Sequence, residues 1–264
     1  MFFRINKDVI DQLTALYRSL PLMLYFAWGD TKARYRRSVL GPFWLVIGTA
    51  VGVAGLSFLW SGLLKVDRTT FVPTLTVGIV VWQFISGCVA ESPSAFTRNA
   101  AVMRNLKTPY LIFPLQLLLR QLINFAHNMV VVLVVLIMFP PPLGFAQLLV
   151  IPGMLLLVGN LFWIAILFGM LGARFRDLEQ TIGVLIPMMF FLSPVLYRPE
   201  QLGHMEQFIW LNPFTYMITL IRDPMQGFTP APFVYLVSTG MLLAGWGATL
   251  WLYGRRHSRI PFWV

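Results

Sequence analysis

Residues 111–139 read LIFPLQLLLRQLINFAHNMVVVLVVLIMF, and this run decides the class of fold. It carries one fixed charge, Arg120, in a stretch longer than the roughly 20 apolar residues a helix needs to cross ~30 Å of hydrocarbon. Four other runs meet that length: Leu40–Leu64, Phe71–Ala90, Phe145–Gly172 and Phe233–Tyr253. A sixth, Thr181–Tyr197, is shorter and contains Pro187 and Pro194; the parity of the loop charges requires it as a span. Composition agrees: of 264 residues, 58% are hydrophobic and 11% charged, against about 25% charged in soluble domains. The expected fold is an all-α membrane protein with six transmembrane helices.

Charge sets the orientation. The net charge of +10 would suggest nucleic acid in a soluble chain, but here the basic residues follow the positive-inside rule. Arg4, Lys7, Arg18, Lys32, Arg34, Arg36, Arg37, Arg98, Arg104, Lys107, Arg174, Arg176, Arg255, Arg256 and Arg259 fall on one side. Lys65, Arg68, Arg198 and Arg222 fall on the other, so both termini are expected in the cytoplasm and no nucleic-acid partner is expected. No signal-peptide pattern opens the sequence. The lone Cys88 excludes an intramolecular disulfide framework.

The chain is expected to divide into a cytoplasmic amphipathic interface segment, 1–39, and a transmembrane domain, 40–264. In the first, Lys7–Leu20 places Val9, Ile10, Leu13, Leu16, Tyr17 and Leu20 on one helical face. A basic run at 32–37 follows, suited to anionic headgroups at the interface. Gly48 and Gly52 form a small-residue face that permits close helix approach. After the second span, Ser94 is placed to cap a short helix over about 95–106. Arg98, Asn99, Met103, Arg104 and Lys107 make this either a solvated connection or a surface gripped by a cytoplasmic subunit; Arg174, Arg176 and Asp177 form a second candidate contact.

The stretch 198–232 holds two segments too short to cross a bilayer, Met205–Leu211 and Phe214–Ile221. Asn212 is a candidate N-cap with Pro213 at the first helical position, and Asp223-Pro224 ends the second segment. Together they suggest a re-entrant periplasmic hairpin at a cavity mouth, because irregular backbone at membrane depth must be packed in protein or line a cavity.

Within the third span, Gln116, Arg120, Asn124 and Asn128 recur every four residues and form a polar stripe, with Gln121 and His127 alongside. Arg120 lies too deep to remain unpaired, and Glu91 at the inner end of the preceding span is its nearest acidic candidate. The stripe reads either as a hydrogen-bonding seam or as contact with a hydrated path. Aromatic residues inside the first and fifth spans, Phe43, Trp44, Phe58, Trp60, Phe190, Phe191 and Tyr197, would suit the apolar faces of sugar rings. For any one of them, packing or lipid contact is the simpler account.

Catalytic signatures are missing. There is no G-x-x-x-x-G-K-[ST] run to hold ATP and no H-E-x-x-H, and the three histidines fall in different regions. No metal site is expected. The hydrophobic cores hold no carboxylate, which disfavours a proton-coupled transporter or channel working alone. The lack of clustered acids disfavours a membrane glycosyltransferase.

The run RYRRSVLGPFW at 34–44 resembles the entry to the first span of type-2 ABC exporter permeases, most closely the O-antigen and capsule group (Wzm/KpsM-like). RFRD at 174–177, LSP at 192–194, LNPF at 211–214 and Arg222 match in order along essentially the whole chain. Where such permeases often carry a proline beyond the tryptophan, this sequence has Ile47-Gly48-Thr49. The resemblance implies a permease without enzymatic activity that acts as a homodimer with two cytoplasmic ATP-binding cassette subunits. ATP and Mg would be bound by those subunits, and no cofactor by this chain. It further implies a coupling helix over about 95–106 and periplasmic gate helices that include Asn212, Pro213, Tyr216 and Arg222. The first and fifth spans would line a channel in the bacterial inner membrane, and the cargo would be a lipid-linked polysaccharide. Teichoic-acid precursors or small lipophilic compounds are the alternative cargoes.

Overall fold

The computed structural model describes Thr14, Pro21, 23–29, Lys32, 38–41, 43–64, 67–105, 109–142 and 144–264. The expected amphipathic helix Lys7–Leu20, most of the basic run and Lys107 lie outside the described residues. All regular structure among the described residues is helical. We number the seven longer helices α1 (Phe43–Leu64), α2 (Arg68–Glu91), α3 (Ile112–Met138), α4 (Val150–Arg174), α5 (Asp177–Leu192), α6 (Pro213–Met225) and α7 (Pro232–Arg256).

Five helical stretches among the described residues are long and apolar enough to cross a membrane: Phe43–Gly62, Arg68–Ser94, Ile112–Met138, Phe145–Arg174 and Pro232–Trp263. They correspond to the five long runs of the sequence. The weaker sixth is displaced from its expected bounds. Its helix starts four residues earlier, at Asp177, and stops at Leu192. Asp177 and Glu179 occupy its first turn, where carboxylates favour a helix N-terminus. Residues 193–198 are irregular, and Pro194 cannot supply an N–H to prolong the helix.

Helix α2 is the hub. Of its apolar stretch 72% is buried within the chain, against 11% for α1. Leu75, Phe84 and Ile85 of α2 join one cluster with Val53 of α1, Phe125 of α3, Leu161 of α4, Ile182 of α5, Ile218 of α6 and Val234 of α7. Lipid is as apolar as leucine, so such helices associate through close packing rather than through burial from water. Glycines supply the closeness, but not the pair singled out in the sequence. Gly48 and Gly52 have open space around them, whereas a Cβ on Gly78 would lie 2.4 Å from the Val195 carbonyl oxygen. One on Gly172 would lie 2.3 Å from that of Pro93. Close approach therefore pins the irregular strap 193–198 to α2 and the turn at Ser92–Ser94 to α4.

The expected short helix after the second span is broken. Ser92–Ser94 and Thr97–Asn99 are 3₁₀ turns, and an α-helix covers only Ala100–Asn105. Ser94 does not cap it: its hydroxyl donates backwards to the Glu91 carbonyl at 3.2 Å.

Candidate functional site: a polar seam between two helix junctions

At the seam's centre Glu91 closes α2 and accepts from three side chains. Arg120 forms a short ion pair with it, Gln121 Nε2 donates at 2.9 Å and Arg98 Nη1 at 3.1 Å. The expected Arg120–Glu91 partnership is present. Asn124 extends the seam by donating to Gln121 Oε1 at 3.1 Å. Further along α3, Asn128 Nδ2 donates to Gln83 Oε1 at 3.0 Å. Thr49 Oγ1 of α1 sits 3.1 Å from Asn128 Oδ1 and 3.2 Å from Gln83 Oε1, so it can donate to either. Thr49 thus ties α1 to α2 and α3.

Three of the four stripe residues, Arg120, Asn124 and Asn128, join this seam, while Gln116 is half-buried nearer the start of α3. Gln83, Thr49 and the buried Gln121 complete it. A cavity of about 250 Å³ lies beside it, bounded by Leu45, Gly87 and Phe125 together with the seam's own amides. Gly87 matters locally, because a Cβ there would meet the Gln121 amide at 2.8 Å.

At the junction beyond Glu91, Arg98 bridges two helices, with Nη2 also 3.7 Å from Glu179 Oε1 in the first turn of α5. Asn99 turns inward and donates to the Ala95 carbonyl at 2.8 Å. Met103 does not belong to an exposed contact surface. It is buried in a cluster with Phe96, Tyr253 and Ile260, because the short helix Ala100–Asn105 lays its apolar side on the end of the bundle. Arg104 donates to the Val264 carbonyl, and Arg174 lies 5.5 Å from both the Phe175 and Trp263 rings. Arg176 and Asp177 are exposed at the start of α5.

At the opposite end, Asn212 caps α6 by accepting from the Phe214 N–H at 3.0 Å, with Pro213 first in the helix. The helix does not end at Asp223-Pro224 but continues to Met225. Before it, Pro199–Met205 is 3₁₀ with a kink at Gly203 and Glu206–Ile209 is a single α-turn. Tyr216 donates to the Trp210 carbonyl at 2.7 Å. Arg222 turns inward. Arg222 is 1% exposed, pairs with Asp223, and donates to the carbonyls of Pro194 (2.6 Å) and Tyr197 (3.1 Å). The irregular strap leaves those carbonyls without helical partners, and a guanidinium satisfies two at once.

The aromatic set divides. Phe43, Trp44, Phe58 and Phe191 are more than half exposed on the outer faces of α1 and α5. Trp60 and Phe190 instead pack inward on the core, Phe190 edge-on to Trp82 at 6.0 Å. Helical spacing turns these two away from Phe58 and Phe191. Tyr197 is half-buried, its hydroxyl 3.3 Å from the Phe191 carbonyl.

The described residues form a helical bundle with five helices long and apolar enough to cross a membrane and an internal polar seam, and residues 22–225 match the ABC-2 type transporter family. The chain belongs to that family: it is a multi-pass membrane permease subunit, and the family implies partnership with an ATP-binding subunit. Among its relatives is an O-antigen export system permease protein RfbA of Klebsiella pneumoniae, 27% identical over 200 residues, covering 74% of this chain and 76% of that one. A protein of the same name from Myxococcus xanthus is 25% identical over 198 residues, covering 72% and 73%.

Proposed function

We propose that this chain is the membrane half of an ATP-driven exporter of polysaccharide, an O-antigen or capsule-like polymer carried on a lipid. The carrying observation is the likeness to O-antigen export permeases, which extends through about three quarters of the chain. In this reading two copies meet across the sparsely covered faces of α1 and α5, where Phe43, Trp44, Phe58 and Phe191 face outward. Two cytoplasmic ATP-binding cassette subunits, which hold the ATP and Mg, grip the junction 92–105 and the turn 174–177. The chain lies in the bacterial inner membrane with both termini inside. Helix α5, ~24 Å long at 1.5 Å per residue, completes a sixth crossing with the strap 193–198. The segments 199–209 and α6 form the periplasmic gate. Depleting the chain in cells should abolish surface polysaccharide and accumulate the polymer inside. Undiminished surface polymer would refute the reading.

A further inference from the structure

A second cavity, of about 570 Å³, opens at the end of the bundle remote from Glu91, between the start of α2, the end of α3 and the turn after α6. Its volume is in the range of small-molecule sites, and its walls have their usual make-up: broad apolar surface with a few convergent polar groups. Phe71, Phe139 and the run Pro140–Pro142 supply the apolar side. Thr70, Gln201 and Gln226 supply neutral hydrogen-bonding groups. The two charged side chains on the wall are one of each sign, and both are already engaged. Asp67 accepts from Thr69 N–H at 3.0 Å and from the Thr69 hydroxyl, bonds that hold its carboxyl below the ordinary range. Arg198 donates to Gln226 and lies 4.2 Å from the centre of the Phe228 ring.

Gln226 is the telling residue. It is 5% exposed, its Oε1 accepts from Arg198 and lies 3.0 Å from Thr74 Oγ1, which can donate there or to the Thr70 carbonyl at 2.8 Å, and its Nε2 has no hydrogen-bond partner among the described residues. A buried amide donor without a partner costs about 1–3 kcal/mol, so such a group on a cavity wall marks a place for an acceptor. The turn beside it is built for closeness. Gly227 has φ +83° and no room for a Cβ, which would lie 2.6 Å from the Pro142 carbonyl oxygen.

We propose that this cavity binds a neutral saccharide, one or two sugar rings of a polymer, with C–H faces on the phenylalanine and proline wall and hydroxyls on Gln226, Gln201 and Thr70. Asp67 and Arg198 are engaged within the chain, so the polar groups left for a ligand are neutral. The inference rests on the polysaccharide reading for its biological role, but it is tested without transport.

The full chain in lipid nanodiscs would be titrated with maltose, lactose and mannobiose, and separately with glucose 6-phosphate, by saturation-transfer NMR. At least one neutral disaccharide should bind in the millimolar range. Gln226→Leu should weaken it about tenfold or more. Because Gln226→Leu touches a buried group, Thr70→Trp provides a second arm, filling the mouth from the exposed rim with the same expected loss. Absence of binding by all three disaccharides, binding untouched by both substitutions, or preference for the phosphate would overturn the proposal. If the chain exports polymer in cells yet binds no disaccharide, the site falls and the export reading stands. If disaccharides bind but no polymer is exported, the export reading falls instead.

Discussion

Glu91 gathers donors from three side chains, Arg98, Arg120 and Gln121. Replacing it by Gln would leave Arg120 charged beside a neutral amide, and breaking such a pair from one side costs about 3–5 kcal/mol when it is buried. Glu91→Gln should therefore lower the thermal unfolding midpoint in detergent markedly, and adding Arg120→Gln should recover much of the loss in a double-mutant cycle. Equal losses in the single and double variants would show that the pair is not coupled. Gly172→Ala should also destabilise, by about 1–3 kcal/mol, because its Cβ meets backbone of Pro93 rather than a movable side chain. Unchanged stability in a thermal scan would contradict that fit. The Arg120 partnership was legible in the sequence because a charge at that depth must be paired. Gln83 and Thr49 were not, since amides and hydroxyls on separate spans share no spacing that betrays their contact. Nor was Asn160, fully buried and donating to the Ser238 carbonyl at 3.1 Å to tie α4 to α7.

Among elements, the five long spans could be read directly, because length and apolarity alone define them. The weaker elements could not. The bounds of α5 shifted because its N-terminus is set by carboxylates outside the apolar run and its end by a strap held by Arg222 from a distant helix. The junction 92–105 broke into turns because Gly169 and Gly172 draw it against α4, a long-range effect that local capping residues do not reveal. Two predictions belong here. Arg222→Met should strip two buried carbonyls of their donor and cost about 2–5 kcal/mol, read as a lower unfolding midpoint and easier proteolysis near 193–198. A variant as stable and protected as the parent would contradict the staple. Arg98→Glu should change stability by no more than about 1 kcal/mol, its bridges being exposed. It should nevertheless reduce export while ATP hydrolysis by the partner continues, as should Arg104→Glu. Normal export in both variants would remove this junction from the coupling path.

For the whole molecule, α1 is the least covered of the five long spans and carries Phe43, Trp44 and Phe58 facing outward. Within one chain α1 contributes little to the core, and a Cβ on its Gly48 or Gly52 would meet nothing within 4 Å among the described residues. Composition could announce a membrane protein and loop charge its orientation, yet neither could say which faces meet lipid, a second copy or a polymer. A disulfide between copies carrying Gly52→Cys, formed on mild oxidation in membranes, would support pairing through α1; monomer alone would count against it. The most direct measurement is made on proteoliposomes containing this chain and its ATP-binding partner, loaded on the ATP side with lipid-linked polysaccharide. The account predicts that ATP moves the polymer across the membrane, and that omitting either ATP or this chain stops it. Polymer movement that persists without ATP, or ATP turnover that moves no polymer, would contradict it.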